Sequence, residues 1–160
     1  MQFRYLSLSL SLLLPAYFSF HSATAFDKTS ADIQIKNTLA KYPLSVDSKN
    51  YTIIPEIFTE DAFLGSPPPT GNFIGIPTII KFLTTALENT VTQHSYGTQF
   101  IDVSSEKEAN AITYLTATFV GTGPKAGRGL VVHAQYLDML VYLEDVGWRV
   151  TNRTLAIMVG

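Results

Sequence analysis

Residues 130–144 read "LVVHAQYLDMLVYLE". β-Branched and aromatic side chains are frequent, and neither glycine nor proline interrupts, so the spacing predicts a strand. The apolar residues fall on both parities. Val131, Leu137, Met139 and Val141 share one face; Val132, Ala134, Leu140 and Tyr142 share the other. A strand apolar on both faces belongs to a sheet that is covered on both. In its middle stands Asp138, on the same parity as Tyr136. A carboxylate there is costly unless it is paired or faces a polar cavity. Arg153 in the next strand could pair with it as a structural ion pair; a pocket is the alternative.

Three more stretches share this character: "TQHSYGTQFIDVS" (92–104), "NAITYLTATFVGT" (110–122) and "GWRVTNRTLAIMV" (147–159). The turns "SEKEAN", "GPKAGRG" and "EDVG" bound them. Upstream the period changes. In "TSADIQIKNTLAKY", Ile35, Leu39 and Tyr42 fall at i, i+4 and i+7, the spacing of one helical face. Thr29 with Asp32 has the form of a capping box, and Pro43 should kink or end the helix. "YTIIPEIF" reads as a second short helix, "TEDAFLGS" as extended chain and "PPPTGN" as a turn. Pro77 suits the first position of a third helix, buried through Ile79, Ile80, Leu83 and Leu87. Helices followed by a run of antiparallel strands imply an α+β fold with helices laid on one face of the sheet. The other face is expected to pair with a second copy, as a homodimer.

Residues 1–25 stand apart. "MQFR" carries a positive charge, residues 5–20 are largely apolar, and "ATA" (23–25) has the form of a cleavage site. This is the pattern of a secretory signal peptide. The apolar run contains Pro15 and falls short of the ~20 residues a bilayer requires, so no stable membrane anchor is expected after cleavage. Residues 26–160 would then form one domain, secreted to the extracellular space. The chain has no cysteine, which excludes disulfides, a thiol nucleophile and zinc–thiolate sites. Its net charge is −2 and no basic stripe exists, so nucleic acid is not an expected partner. Sequons occur at Asn50 and Asn152. By strand parity Asn152 shares the face of Trp148 and Val150, where an interface would exclude a glycan, so Asn50 is the expected glycosylation site.

Several signals point away from common chemistries. "GTGPKAGRG" is glycine-rich but joins two strands, whereas a phosphate loop needs a helix N-terminus behind it. No G-x-S-x-G nucleophile elbow exists. His94 and His133 have no ligand spacing that recommends a metal. What remains is acid–base chemistry. Asp47, in "SVDSKNY", either caps a turn or acts with His94; His94, in "TQHSYGTQ", is either a hydrogen-bonded sheet-edge residue or a proton-transfer group. Asp, His and Tyr without cysteine, metal or elbow suit dehydration, isomerisation or cyclisation.

The order of these pieces resembles a known family. Kinked N-terminal helices, "VDSKNY", "IFTEDA", a G-x-x-x-I-x-x-F/L helix, "TQHSYGTQ" and long strands ending in "GWRVTNRTL" are similar to the SnoaL-like branch of the NTF2-like superfamily. The likeness is to its fungal secreted or biosynthetic members and, more distantly, to scytalone dehydratase. It spans essentially all of residues 26–160. The resemblance implies a cone: three N-terminal helices packed on a curved, mostly antiparallel sheet that encloses an apolar pocket. It also implies a small hydrophobic ligand, polyketide- or terpenoid-like, and no cofactor. Asp47 and His94 would be the catalytic pair. Tyr51, Tyr114, Phe119, Tyr136 and Asp138 would contact substrate. The family's dehydratases pair this histidine with a second one on the next strand. Here "TATFVGTG" puts Phe119 or Gly121 in that place, so the pair is incomplete. Three readings follow: a cofactor-independent lyase, isomerase or cyclase; a binding module with the same pocket and no turnover; and a domain that dimerises through its sheet and uses no pocket.

Overall fold

The computed structural model describes residues 26–159, so the signal-peptide reading of residues 1–25 lies outside the described residues. Helix α1 (Lys28–Ser48) opens the domain. Its cap is Asp27, whose side chain accepts the Thr29 backbone N–H at 2.9 Å. The expected Thr29–Asp32 box does not form; Asp32 instead pairs one turn on with Lys36. Ile35, Leu39 and Tyr42 are buried as the periodicity requires, and Val46 extends their face. Pro43 sits inside the helix without ending it. The helix stops at Lys49, in the left-handed region at φ 61°.

A 3-10 helix (Tyr51–Glu56), capped by Asn50, leads into β1 (Phe58–Ser66) and β2 (Gly71–Ile74). Gly75, at φ 82°, makes the left-handed turn before α2 (Ile76–Ala86), which carries Pro77 in its first turn and buries Ile79 and Leu83. The long strands follow: β3 (Thr90–Val103), β4 (Glu108–Gly121), β5 (Gly129–Leu143) and β6 (Gly147–Val159). They build one open, curved sheet in the order β2-β1-β6-β5-β4-β3. Every pair is antiparallel except β1 with β6. The expected α+β architecture is therefore present with three helices; the extended stretch "TEDAFLGS" is β1, and β2 is added to the strands foreseen.

The helices cover the inner face. There Ala111, Leu115, Ala134, Leu140 and Val150 join α1 and α2 in one core. The outer face is open in the single chain. Phe100, Ile112 and Leu137 lie side by side across β3, β4 and β5 and are all exposed. A bulge between Met139 and Leu140 overturns the parity expected for Asn152. Leu140 pairs with Val150 but Met139 with Asn152, so one residue of β6 is skipped. Trp148, Val150 and Arg153 are buried inside, while Asn152 sits beside exposed Met139 on the outer face.

Candidate functional site

The last turn of α1 lies across β3, and this contact brings Asp47 to His94. One Asp47 oxygen accepts the His94 backbone N–H at 2.8 Å; the other is 2.7 Å from the ring Nδ1. One carboxylate thus ties the His94 backbone and ring together. An ionised Asp47 can only accept, so Nδ1 carries a proton and Nε2 is the ring nitrogen that Asp47 leaves free. The His94 side chain is 6% exposed and that of Asp47 26%. Partial burial pushes the Asp47 carboxyl up, but the bonds from His94 outweigh it and hold it below the ordinary aspartate value.

His94 lines a cavity of about 110 Å³ between the inner face of the sheet and the helices. Tyr42, Leu83, Leu87, Phe119 and Tyr136 also line it. Phe119 meets the imidazole edge-on, 5.8 Å between ring centres. Gly121 lies two residues further along, at the end of β4, so Phe119 is the residue set beside His94. Tyr42 stands on the other side, 6.5 Å from His94 and 5.6 Å from Tyr136, in edge-on contacts. Burial raises the pKa of both phenols, which keeps them protonated as donors.

Three of the expected substrate contacts lie elsewhere. Asp138 is on the inner face, but it is buried in a two-pronged bond with Arg153: Nε to Oδ1 at 2.7 Å and Nη2 to Oδ2 at 2.8 Å. The guanidinium carbon lies 4.6 Å from the Tyr42 ring centre and 4.2 Å from that of Tyr136. The ion pair thus backs the aromatic floor and does not line the cavity. Burial pulls the Arg153 pKa down, and the adjacent Asp138 carboxylate more than reverses this. Tyr114 has the opposite parity to Phe119, and it is exposed on the outer face. Tyr51 misses the cavity as well. Its hydroxyl donates to the Leu83 carbonyl at 3.3 Å, and its ring borders a cleft on the solvent side of Asp47. Tyr136 and Phe119 do line the cavity, and Tyr42, Leu83 and Leu87 were missed as site residues. Tyr42 was visible only as a member of the buried face of α1.

Asn50 is exposed, and its side-chain oxygen accepts from the Thr52 hydroxyl at 2.6 Å. His133 is on the outer face, 3.2 Å from the Thr116 hydroxyl, away from His94. Among the described residues no three His, Cys, Asp or Glu side chains gather as metal ligands.

Known proteins share the fold of this chain. The family model for the SnoaL-like domain matches residues 27–154. No curated protein matches by sequence. Among solved structures, a scytalone dehydratase-like protein from Novosphingobium aromaticivorans is 22% identical with a TM-score of 0.71, covering 82% of this chain and 89% of that one. An NTF2-like superfamily protein from Salmonella enterica is 16% identical with a TM-score of 0.74, covering 84% and 95%. The hexachlorocyclohexane dehydrochlorinase LinA-type3 from Novosphingobium barchaimii is 12% identical with a TM-score of 0.72, covering 82% and 88%. At these identities the likeness is one of fold.

Proposed function

The chain belongs to the SnoaL-like domain family, and on that footing we propose that it is a cofactor-independent acid–base lyase, isomerase or cyclase acting on a small hydrophobic molecule. The observation that carries this reading is the histidine held by one carboxylate at both its backbone N–H and its ring: Asp47 occupies Nδ1, and Nε2 is the nitrogen left for a ligand in the apolar cavity that His94 lines. In the proposed reaction Nε2 takes a proton from carbon beside a carbonyl or a leaving group. The Asp47 carboxylate stabilises the imidazolium that forms. Tyr42 and Tyr136, both protonated, supply hydroxyl donors for the charge that builds on oxygen.

Cavity size narrows the substrate class. Sites for drug-sized ligands span roughly 300–1,000 Å³, and an apolar cavity of about 150 Å³ takes benzene. A cavity of about 110 Å³ lies below both, so it takes at most a single ring or its acyclic equivalent. Polyketide- or terpenoid-derived substrates are therefore proposed only as one-ring units. The dehydratase and dehydrochlorinase named above share the fold and support elimination chemistry as the reaction class.

A binding module without turnover is the second reading, and Phe119 favours it, because an apolar ring stands where a second proton-transfer group would serve. Deuterium exchange separates the two. One-ring enolisable ketones are incubated with the protein in D2O, and loss of the α-proton signal is followed by NMR. Catalysis predicts exchange that falls by about 10²–10⁴-fold in His94→Ala. Exchange unaltered by that substitution contradicts the acid–base reading, and binding without exchange selects the carrier.

Two further elements are proposals. Export through the secretory route, with cleavage before Phe26, rests on residues 1–25; N-terminal sequencing of the protein from a secreting host tests it. Self-association through the outer face rests on the apolar row of Phe100, Ile112 and Leu137, which nothing in the single chain covers among the described residues. A dimer of this kind would leave Asn50 as the site of a glycan, because Asn152 lies within the outer face.

A further inference from the structure

We infer that Leu87 is the size filter of the His94 cavity, separating it from a larger solvent-facing cleft so that the protein accepts one-ring ligands and rejects fused two-ring ones. The inference rests on the proposed role of that cavity as a ligand site. Two rooms meet at this point. The inner one, of about 110 Å³, is lined by His94. The outer one, of about 660 Å³, is lined by Asp47, Lys49, Tyr51 and Thr84. Leu87 is the one residue among those described that borders both. Phe119 borders the inner cavity and another cleft, of about 140 Å³. The larger room therefore lies beyond Leu87.

The Asp47–His94 pair straddles the same boundary, with Asp47 on the outer wall and His94 on the inner one. Leu87 and His94 border the same inner cavity. The backbone carrying Leu87 is held on both sides. Its own N–H donates to Leu83 O at 3.1 Å, and its carbonyl accepts from Thr90 at 3.2 Å. Lys125 Nζ donates to Glu88 O at 2.8 Å and to Ala86 O at 3.4 Å, capping the helix end with a cation. The Thr122 N–H donates to Asn89 O at 2.8 Å. A wall so fixed selects by the volume of its side chain. Shortening Leu87 joins the two rooms into a space within the usual range for larger ligands.

The test uses two probes, phenol and 2-naphthol, and the backbone amide resonance of His94 as reporter. The expected result is that phenol shifts this resonance in wild type and in Leu87→Ala. 2-Naphthol is expected to shift it in Leu87→Ala with an affinity about tenfold or more above wild type. Leu87→Val is measured alongside; a smaller gain in the same direction is expected, and it decides the matter if the alanine variant does not fold. Equal 2-naphthol affinity in wild type and the folded variants overturns the filter. So does the failure of phenol to bind any of the proteins. Failure here is distinct from failure of the catalytic reading: His94-dependent exchange without a Leu87 size effect keeps the chemistry and rejects the filter. A size effect without exchange does the reverse.

Discussion

At the scale of single residues, two carboxylates in half-apolar surroundings have opposite fates. Asp138 is neutralised by a buried arginine; Asp47 holds an imidazole at the edge of a cavity. Removing Asp138 leaves Arg153 buried and unpaired. Asp138→Ala is therefore expected to cost about 3–5 kcal/mol, measured by urea unfolding, with Arg153→Met restoring part of the loss in the double variant. For Asp47 the sign follows from its lowered pKa. A carboxyl that ionises more easily folded than unfolded adds stability above its ordinary value of 3.8, and that stability is lost as pH falls through the lower folded value. The stability gap between wild type and Asp47→Asn is expected to hold near neutral pH and to narrow below pH 3.8. A gap that widened on acidification would contradict the bonding described. The sequence already carried the Asp138–Arg153 alternative, because a lone acid in an apolar strand needs a partner. It could not show that the ion pair, rather than a pocket, satisfies it. That depends on the bulge that turns Arg153 inward, and a bulge leaves no clear mark in "GWRVTNRTL".

At the scale of elements, helix faces and strand runs were legible because burial imposes its period on them. Ile35, Leu39 and Tyr42 in α1, and the alternation of Ala109, Ala111, Thr113, Leu115 and Ala117 in β4, show this. The same alternation places Tyr114 outside and Phe119 inside. Their opposite parity is readable in "NAITYLTATFVGT" and keeps the two from facing one ligand. Helix ends were less legible, since Asp27 and Thr29 both fit a cap. Asp27→Ala is expected to destabilise by about 0.5–2 kcal/mol in thermal or urea unfolding, whereas Thr29→Ala leaves the cap oxygen in place and has a smaller effect. At the far end of α2, Lys125→Ala removes a cation from the last-turn carbonyls; the expected loss is about 0.3–1 kcal/mol, reduced by salt.

At the scale of the whole molecule, one sheet serves two surfaces. Its inner face, closed by helices, forms a small apolar cavity with a single imidazole in it. Its outer face presents Phe100, Ile112, Leu137 and Met139 to solvent in the single chain. The two-sided apolar pattern of "LVVHAQYLDMLVYLE" announced both coverings, and the fold accounts for one of them. If a second copy supplies the other, light scattering is expected to give twice the chain mass at micromolar concentration. Met139→Lys is expected to shift the protein to monomer without loss of fold; a monomeric wild type would contradict the pairing.

The central claim is that His94, oriented by Asp47, is a base. The most direct measurement is α-proton exchange of a one-ring ketone in D2O, comparing wild type, His94→Ala and Asp47→Asn. Exchange is expected in wild type, with a fall of about 10²–10⁴-fold in His94→Ala and a substantial fall in Asp47→Asn, whose amide no longer stabilises the imidazolium. Equal exchange in all three proteins would contradict it.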